Sequence, residues 1–226
     1  MSLDLYAKIE PYIGFYDNYE RLYGYYLKFL KDFDVKSILD VGCGNGRMLE
    51  LLSETGYSAK GIDLSAKMVE IAKKRGVDAE CKNISEVTGK YDAIVAVADV
   101  LNYMDKKSLK RFLSYIKNAL KKGGVFICDT NTMHGFCDVA DGTMVKEDNE
   151  IFLAVDAVFD GEILDTNITF FEKEDELYKK YNGAILQYFH NENNIVDMTP
   201  MKLLDKKEIS LFSEDADKVI FRFTNE

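Results

Sequence analysis

Residues 37–41, Ser-Ile-Leu-Asp-Val, form a short apolar run that stops at Gly42-Cys43-Gly44-Asn45-Gly46 and passes at once into a helical pattern. An apolar run too short for a helix, cut by glycines and followed by 3.6-residue periodicity, reads as a buried strand turning tightly into a helix. Glycines at alternate positions let the backbone take left-handed angles and let a ligand come close to it. In an open parallel sheet this turn lies at the carboxyl end of a strand, where such sheets bind ligands.

The unit then repeats. A helix over 47–55 closes at Gly56, and 59–64 reads as a second strand. Ser65 can cap a second helix that Gly76 ends, followed by a short third strand over 79–82. Residues 91–98 are almost continuously apolar, as expected of a central strand covered on both faces. Asp105 opens a helix that carries Leu109, Phe112, Leu113, Ile116 and Leu120 on one face. Gly123-Gly124 should stop it before a fifth strand over 125–129. Such alternation implies right-handed crossovers and a parallel sheet.

The flanks differ from this core. Over 12–30 the residues Tyr16, Tyr19, Tyr23, Tyr26, Leu27 and Leu30 make a helical stripe, read as an N-terminal arm. After about residue 145 the period becomes two: strands over 150–159 and 163–171 joined by Asp160-Gly161, then a third over 177–189. A short helix interrupted by Pro200 is expected over 191–204, and closing antiparallel strands over 209–212 and 219–223. The fold class is therefore α/β: a doubly wound, mostly parallel seven-stranded sheet with a helical N-terminal lid and an added antiparallel β layer.

Composition narrows the partners. A net charge of −10 over 226 residues repels polyphosphate, so a nucleic-acid partner is not expected. The small basic clusters, Lys73-Lys74-Arg75 and Lys121-Lys122, fall in the last turns of expected helices, where cations offset the helix dipole. Met1-Ser2-Leu3-Asp4 does not begin a secretory pattern, and no apolar run nears the ~20 residues of a membrane span, so no membrane contact and a cytoplasmic location are expected. Cys43, Cys81, Cys128 and Cys137 lack metal-ligand spacing, and with two histidines, His134 and His190, no metal site is expected.

The glycine turn discriminates between ligands. A dinucleotide site wants Gly-x-Gly-x-x-Gly, and here Arg47 stands where the third glycine would fall. Asp40 in the turn would repel a diphosphate but suits a ligand with an amino group and a sulfonium, as in S-adenosylmethionine. Asp63, at the end of the second strand, can accept two hydrogen bonds from a ribose diol. Taken alone it could equally begin a capping turn.

With these motifs in place the chain resembles the class I S-adenosylmethionine-dependent methyltransferases over most of 38–129. The resemblance rests on the loop Leu39 to Gly46, Asp63, Tyr91-Asp92-Ala93-Ile94-Val95, and Leu120-Lys121-Lys122-Gly123-Gly124-Val125. It implies that Asp40 and the loop at Gly42, Gly44 and Gly46 meet the methionine moiety. It also implies that Leu64 packs on adenine and that Asn83-Ile84 stand where relatives present an acidic residue to the adenine amino group. Ala98 and Asp99 would line the cleft. Phe15-Tyr16-Asp17 resembles a lid segment, with Tyr16 approaching the cofactor.

The expected organisation is one domain, with a lid over 1–34, a cofactor-binding core over 35–144, an antiparallel lid or dimerisation insert over 145–190 and a closing segment over 191–226. The expected activity is N- or O-methylation of a small-molecule acceptor by in-line transfer, with His134 as candidate base and Asp99 as a group that orients an amine. A homodimer through the insert is a candidate assembly. The competing readings are a non-catalytic module binding S-adenosylmethionine or S-adenosylhomocysteine, and an NAD-dependent oxidoreductase.

Overall fold

Alternating side chains along the apolar runs point to opposite faces of a central sheet, so each face needs its own layer of helices. The structure, a computed structural model, describes residues 2–226 without the side chains of Ser2 and Tyr16. Five strands, β1 (Ser37–Val41), β2 (Ser58–Asp63), β3 (Ala79–Cys81), β4 (Tyr91–Ala96) and β5 (Leu120–Asn131), run parallel. Two more, β10 (Lys202–Ile209) and β11 (Lys218–Thr224), continue the sheet antiparallel, in the order β10-β11-β5-β4-β1-β2-β3. The order reverses between β1 and β4, which opens a crevice at their carboxyl ends.

One face, with Ile38, Val95 and Ile127, packs on α2 (Tyr16–Leu30) and α3 (Arg47–Glu54). The other, with Leu39, Ile94 and Phe126, packs on α5 (Lys106–Ala119) and α6 (Glu192–Met198). Helix α4 (Ala66–Lys74) is capped as its sequence foretells, the Ser65 hydroxyl accepting from the Met68 N–H at 3.2 Å. Asp105 caps α5 in the same way, accepting from the Ser108 N–H at 2.7 Å.

The added layer is a four-stranded meander: β6 (Gly142–Glu147), β7 (Ile151–Phe159), β8 (Ile163–Glu174) and β9 (Leu177–Tyr188). Its inner face, with Ile151, Leu153, Ile168 and Phe170, buries Leu5 and Ile9 of α1 (Ser2–Ile13). Where the chain leaves the core for this layer, Phe136 stacks on Phe159 at 5.0 Å and meets the edge of Phe189 at 5.9 Å, clasping exit and return together.

Four expectations are corrected. The N-terminal arm is two helices, broken where Gly14 takes φ +84°; α1 is fixed by distant strands that local periodicity cannot see. Gly123-Gly124 do not stop α5, which ends at Ala119; they sit inside β5, bonded to Asn225 through Gly123 N–H to its carbonyl at 2.6 Å. Lys121 therefore belongs to a strand and pairs with Asp92 at 2.7 Å. The meander has a fourth strand, β6, almost wholly exposed and so without an apolar alternation to read. The penultimate strand runs over Lys202–Ile209 and not 209–212: it is a charged sheet edge, and charge is how exposed edges avoid pairing with other chains.

Candidate functional site

Register places Asp40 opposite Gly61 and Val95, at the carboxyl end of β1 beside the crevice. Both its carboxylate oxygens are buried and without a hydrogen-bond partner among the described residues. Burial, and secondarily the charge of Asp63, push its carboxyl up to about 8. A buried carboxylate with no donor is costly unless a ligand supplies one. The turn beyond it takes φ +76° at Gly42, where a Cβ would lie 2.7 Å from Val100 Cγ2. Gly44, at φ +51°, has open space where a side chain would stand.

Asp63 is fixed by the same turn. Its Oδ2 accepts from the Gly44 N–H at 2.9 Å and its Oδ1 from the Ser65 N–H at 2.8 Å, so each oxygen keeps acceptor capacity toward the crevice. Burial raises its pKa, against the lowering effect of these backbone donors. Leu64 follows with its side chain half exposed in the crevice. Asn83 and Ile84 line it too, although the Asn83 Oδ1 already accepts from the Ser85 N–H at 2.9 Å as the cap of a short 3-10 turn.

The crevice opens into a chamber of about 900 Å³. Asp40, Gly42, Gly44, Asp63, Leu64, Asn83, Ile84, Ala98 and Asp99 all line it. Gly46 does not: it begins α3 at φ +82°, and a Cβ there would meet Ala72 and Val77 at 2.8 Å, so its need for glycine is packing. The Tyr16 side chain lies outside the described residues. His134 lies outside the chamber, on a smaller cleft, with Nδ1 2.9 Å from Asp138 Oδ2 and Nε2 2.9 Å from the Ser213 hydroxyl.

Beyond the glycine turn the chamber has a polar floor, of which the sequence disclosed only Ala98 and Asp99. Ala98 and Asp99 take left-handed angles, φ +65° and +54°, unusual for side chains with a Cβ. Asp129, fully buried at the end of β5, holds them by accepting both N–H groups, at 2.8 and 2.9 Å. It also accepts from the Tyr26 hydroxyl at 2.6 Å and from Lys218 Nζ at 3.1 Å, which satisfies it. Lys218, buried on β11, donates further to Asp99 Oδ1 at 3.1 Å and Asn131 Oδ1 at 2.7 Å. The two carboxylates outweigh desolvation and keep the Lys218 pKa raised, so it remains protonated. From the meander, Gln187 donates to Asp99 Oδ2 at 2.6 Å. Tyr6, Tyr19 and Tyr103 complete the walls, their phenols pushed up by burial first and by the nearby charge of Asp99 among other causes.

Fold and site define an open-sheet protein with a buried carboxylate at its crevice, unpartnered among the described residues, and one continuous chamber beyond it. Residues 38–124 match the family described as a methyltransferase domain. A Geobacillus relative named as a candidate methyltransferase is 25% identical over 173 residues, covering 68% of this chain and 70% of the relative. A Bacillus subtilis protein named in the same way is 30% identical over 125 residues, half of each chain. The crystal structure of an S-adenosylmethionine-dependent methyltransferase from Clostridium acetobutylicum shares the fold, with a TM-score of 0.78 at 23% identity over 91% of both chains. Residues 38–124 thus carry a methyltransferase domain, set in a fold shared with S-adenosylmethionine-dependent methyltransferases. These matches favour a methyltransferase that uses S-adenosylmethionine over the nicotinamide and sensor readings. Among the described residues no helix is long and apolar enough to cross a membrane, and no cluster of side chains is suited to a metal ion.

Proposed function

We propose that this enzyme methylates a small organic molecule, at nitrogen or oxygen, inside the chamber between the parallel sheet and the meander. The observation that carries this reading is the orphaned carboxylate of Asp40 at one end of a cavity that continues past the cofactor residues to an independent polar floor. S-adenosylmethionine, when bound, supplies a methyl group already activated by a sulfonium. Asp40 then receives the ammonium of the methionine moiety, and Asp63 accepts from the ribose hydroxyls. Gly42 and Gly44 let the backbone lie against the ligand, and Leu64 covers a face of the adenine.

The cavity is at the upper end of the range for small-molecule sites, and helices α1 and α2 and the meander line its sides. Exclusion of water and in-line alignment are the main services a protein can offer a displacement at an activated carbon. A polymer end would need an open groove, and the net charge of −10 opposes a polyanion. The test is transfer of labelled methyl from S-adenosylmethionine to a panel of amines, sugars, phenols and acids, run beside protein and RNA substrates. Label in a small molecule is the expected result; label confined to protein or RNA overturns the reading.

A further inference from the structure

Resting on the methyltransferase reading above, we infer that the acceptor is an amine on an apolar body, its nitrogen received by the Asp99 carboxylate among Tyr6, Tyr19 and Tyr103, with Gln187 holding that carboxylate in place. Four observations converge on this class.

Charge is the first. At the acceptor end Asp99 lines the chamber with buried Asp129 directly behind it, two carboxylates against the single ammonium of Lys218. The phenols are held neutral by their raised pKa values. Lys82 adjoins Asn83, and Arg111 comes from α5, which packs on the 3-10 turn Ile84–Glu86, so both belong to the adenine end. A carboxylate or phosphate acceptor would meet like charge in a poorly solvated space, whereas an amine meets its complement.

Hydrogen-bond capacity is the second. Asp129 is saturated, while each Asp99 oxygen accepts a single donor, from Lys218 or Gln187, and has a lone pair left for an incoming N–H. Three aromatic rings near that carboxylate add faces that attract a cation.

The third is the set of bases. A hydroxyl acceptor must lose its proton as it attacks, and the stronger bases are not at hand for that: His134 is elsewhere, Lys218 stays protonated and the phenols stay neutral, which leaves only weakly basic carboxylates. The reacting amine is the neutral form, its proton left in solvent before it enters, and it brings its own lone pair. That pair forms the new N–C bond while the electron pair of the breaking C–S bond goes to sulfur, so the positive charge passes from sulfur to nitrogen. The ammonium so formed keeps its protons until it meets solvent. Charge thus develops beside Asp99, where a fixed carboxylate stabilises it more than it stabilises the neutral amine.

The fourth is the wall. Val155, Ala157, Leu164, Ile168 and Ile185 of the meander line the same space and would cover an apolar body.

The experiment uses benzylamine, phenethylamine and cyclohexylamine, each with its alcohol and carboxylate isostere, in the labelled-methyl assay, with calorimetry of S-adenosylhomocysteine on each protein. Label should enter only the amines. Asp99→Asn should lower kcat/KM for the amine at least about tenfold, the scale of a lost charge-assisted hydrogen bond, with S-adenosylhomocysteine affinity kept within about twofold. Should that variant fail to fold, Gln187→Leu, which removes one donor from the cover layer, should raise the amine KM while kcat stays within about threefold, since only the placement of Asp99 is loosened. Label in alcohols or carboxylates, label in none of the amines, or amine transfer indifferent to both substitutions overturns the acceptor assignment alone when S-adenosylhomocysteine still binds. Failure of the unaltered protein to bind S-adenosylhomocysteine overturns the cofactor reading beneath it.

Discussion

The Asp40 carboxylate has no donor within the described protein, so its protonation is coupled to folding. With its pKa raised from 3.8 to about 8, the folded chain keeps a proton there that the unfolded chain has already released. Between those values the folded state binds more protons, so the stability of the cofactor-free protein falls as pH rises. Thermal unfolding should show Tm declining from about pH 5 to about pH 8 in the unliganded enzyme, a slope that Asp40→Asn removes. Saturating S-adenosylmethionine should flatten it too, because its ammonium stabilises the ionised form. Asp63→Ala should weaken S-adenosylmethionine binding by about 1 to 3 kcal/mol, read by calorimetry; an unchanged Kd would refute the ribose assignment. Both carboxylates were legible because the glycine turn and the strand ends that carry them lie within 23 residues in the sequence. Lys218 was not: its partners stand 119 and 89 positions away, and in sequence it only opens an apolar strand.

Elements announced by apolar periodicity formed close to where the sequence places them, and those defined by distant partners did not. The strands β1 and β2 and the caps Ser65 and Asp105 follow from local chemistry. By contrast β6 and β10 are exposed, and pairing with a neighbour, not a buried face, makes them strands. The shortened end of β4 has the same origin: Ala98 and Asp99 leave the extended region because Asp129, 31 and 30 positions on, takes their N–H groups. Asp129→Ala should therefore uncouple β4, β5 and β11 and leave Lys218 facing a single carboxylate, a loss of about 3 to 5 kcal/mol in urea denaturation. Gly46→Ala should cost about 2 kcal/mol or more, since it combines a left-handed residue with a Cβ pressed on Ala72 and Val77.

Across the whole molecule, α1 ties the two sheets over the cofactor turn. The Ser65 hydroxyl donates to Asp4 at 2.6 Å and the Asn45 amide to Glu10 at 2.8 Å, while Lys8 pairs with Glu172 on the meander. Joined to α2 only through the break at Gly14, this helix lies across the cofactor turn, so ligand should hold it down. S-adenosylhomocysteine at 100 times its Kd should add about 2.7 kcal/mol of stability and slow proteolytic nicking around residue 14; equal nicking with and without it would exclude α1 as the cover. The aromatic clasp of Phe136, Phe159 and Phe189 carries a different consequence. It gathers into one place the points where the meander leaves and rejoins its host, while the meander reaches the chamber through inward-facing side chains such as Ile185 and Gln187. Descendants of this chain could thus recode those few positions and acquire new clients while the nucleoside half of the molecule stays untouched.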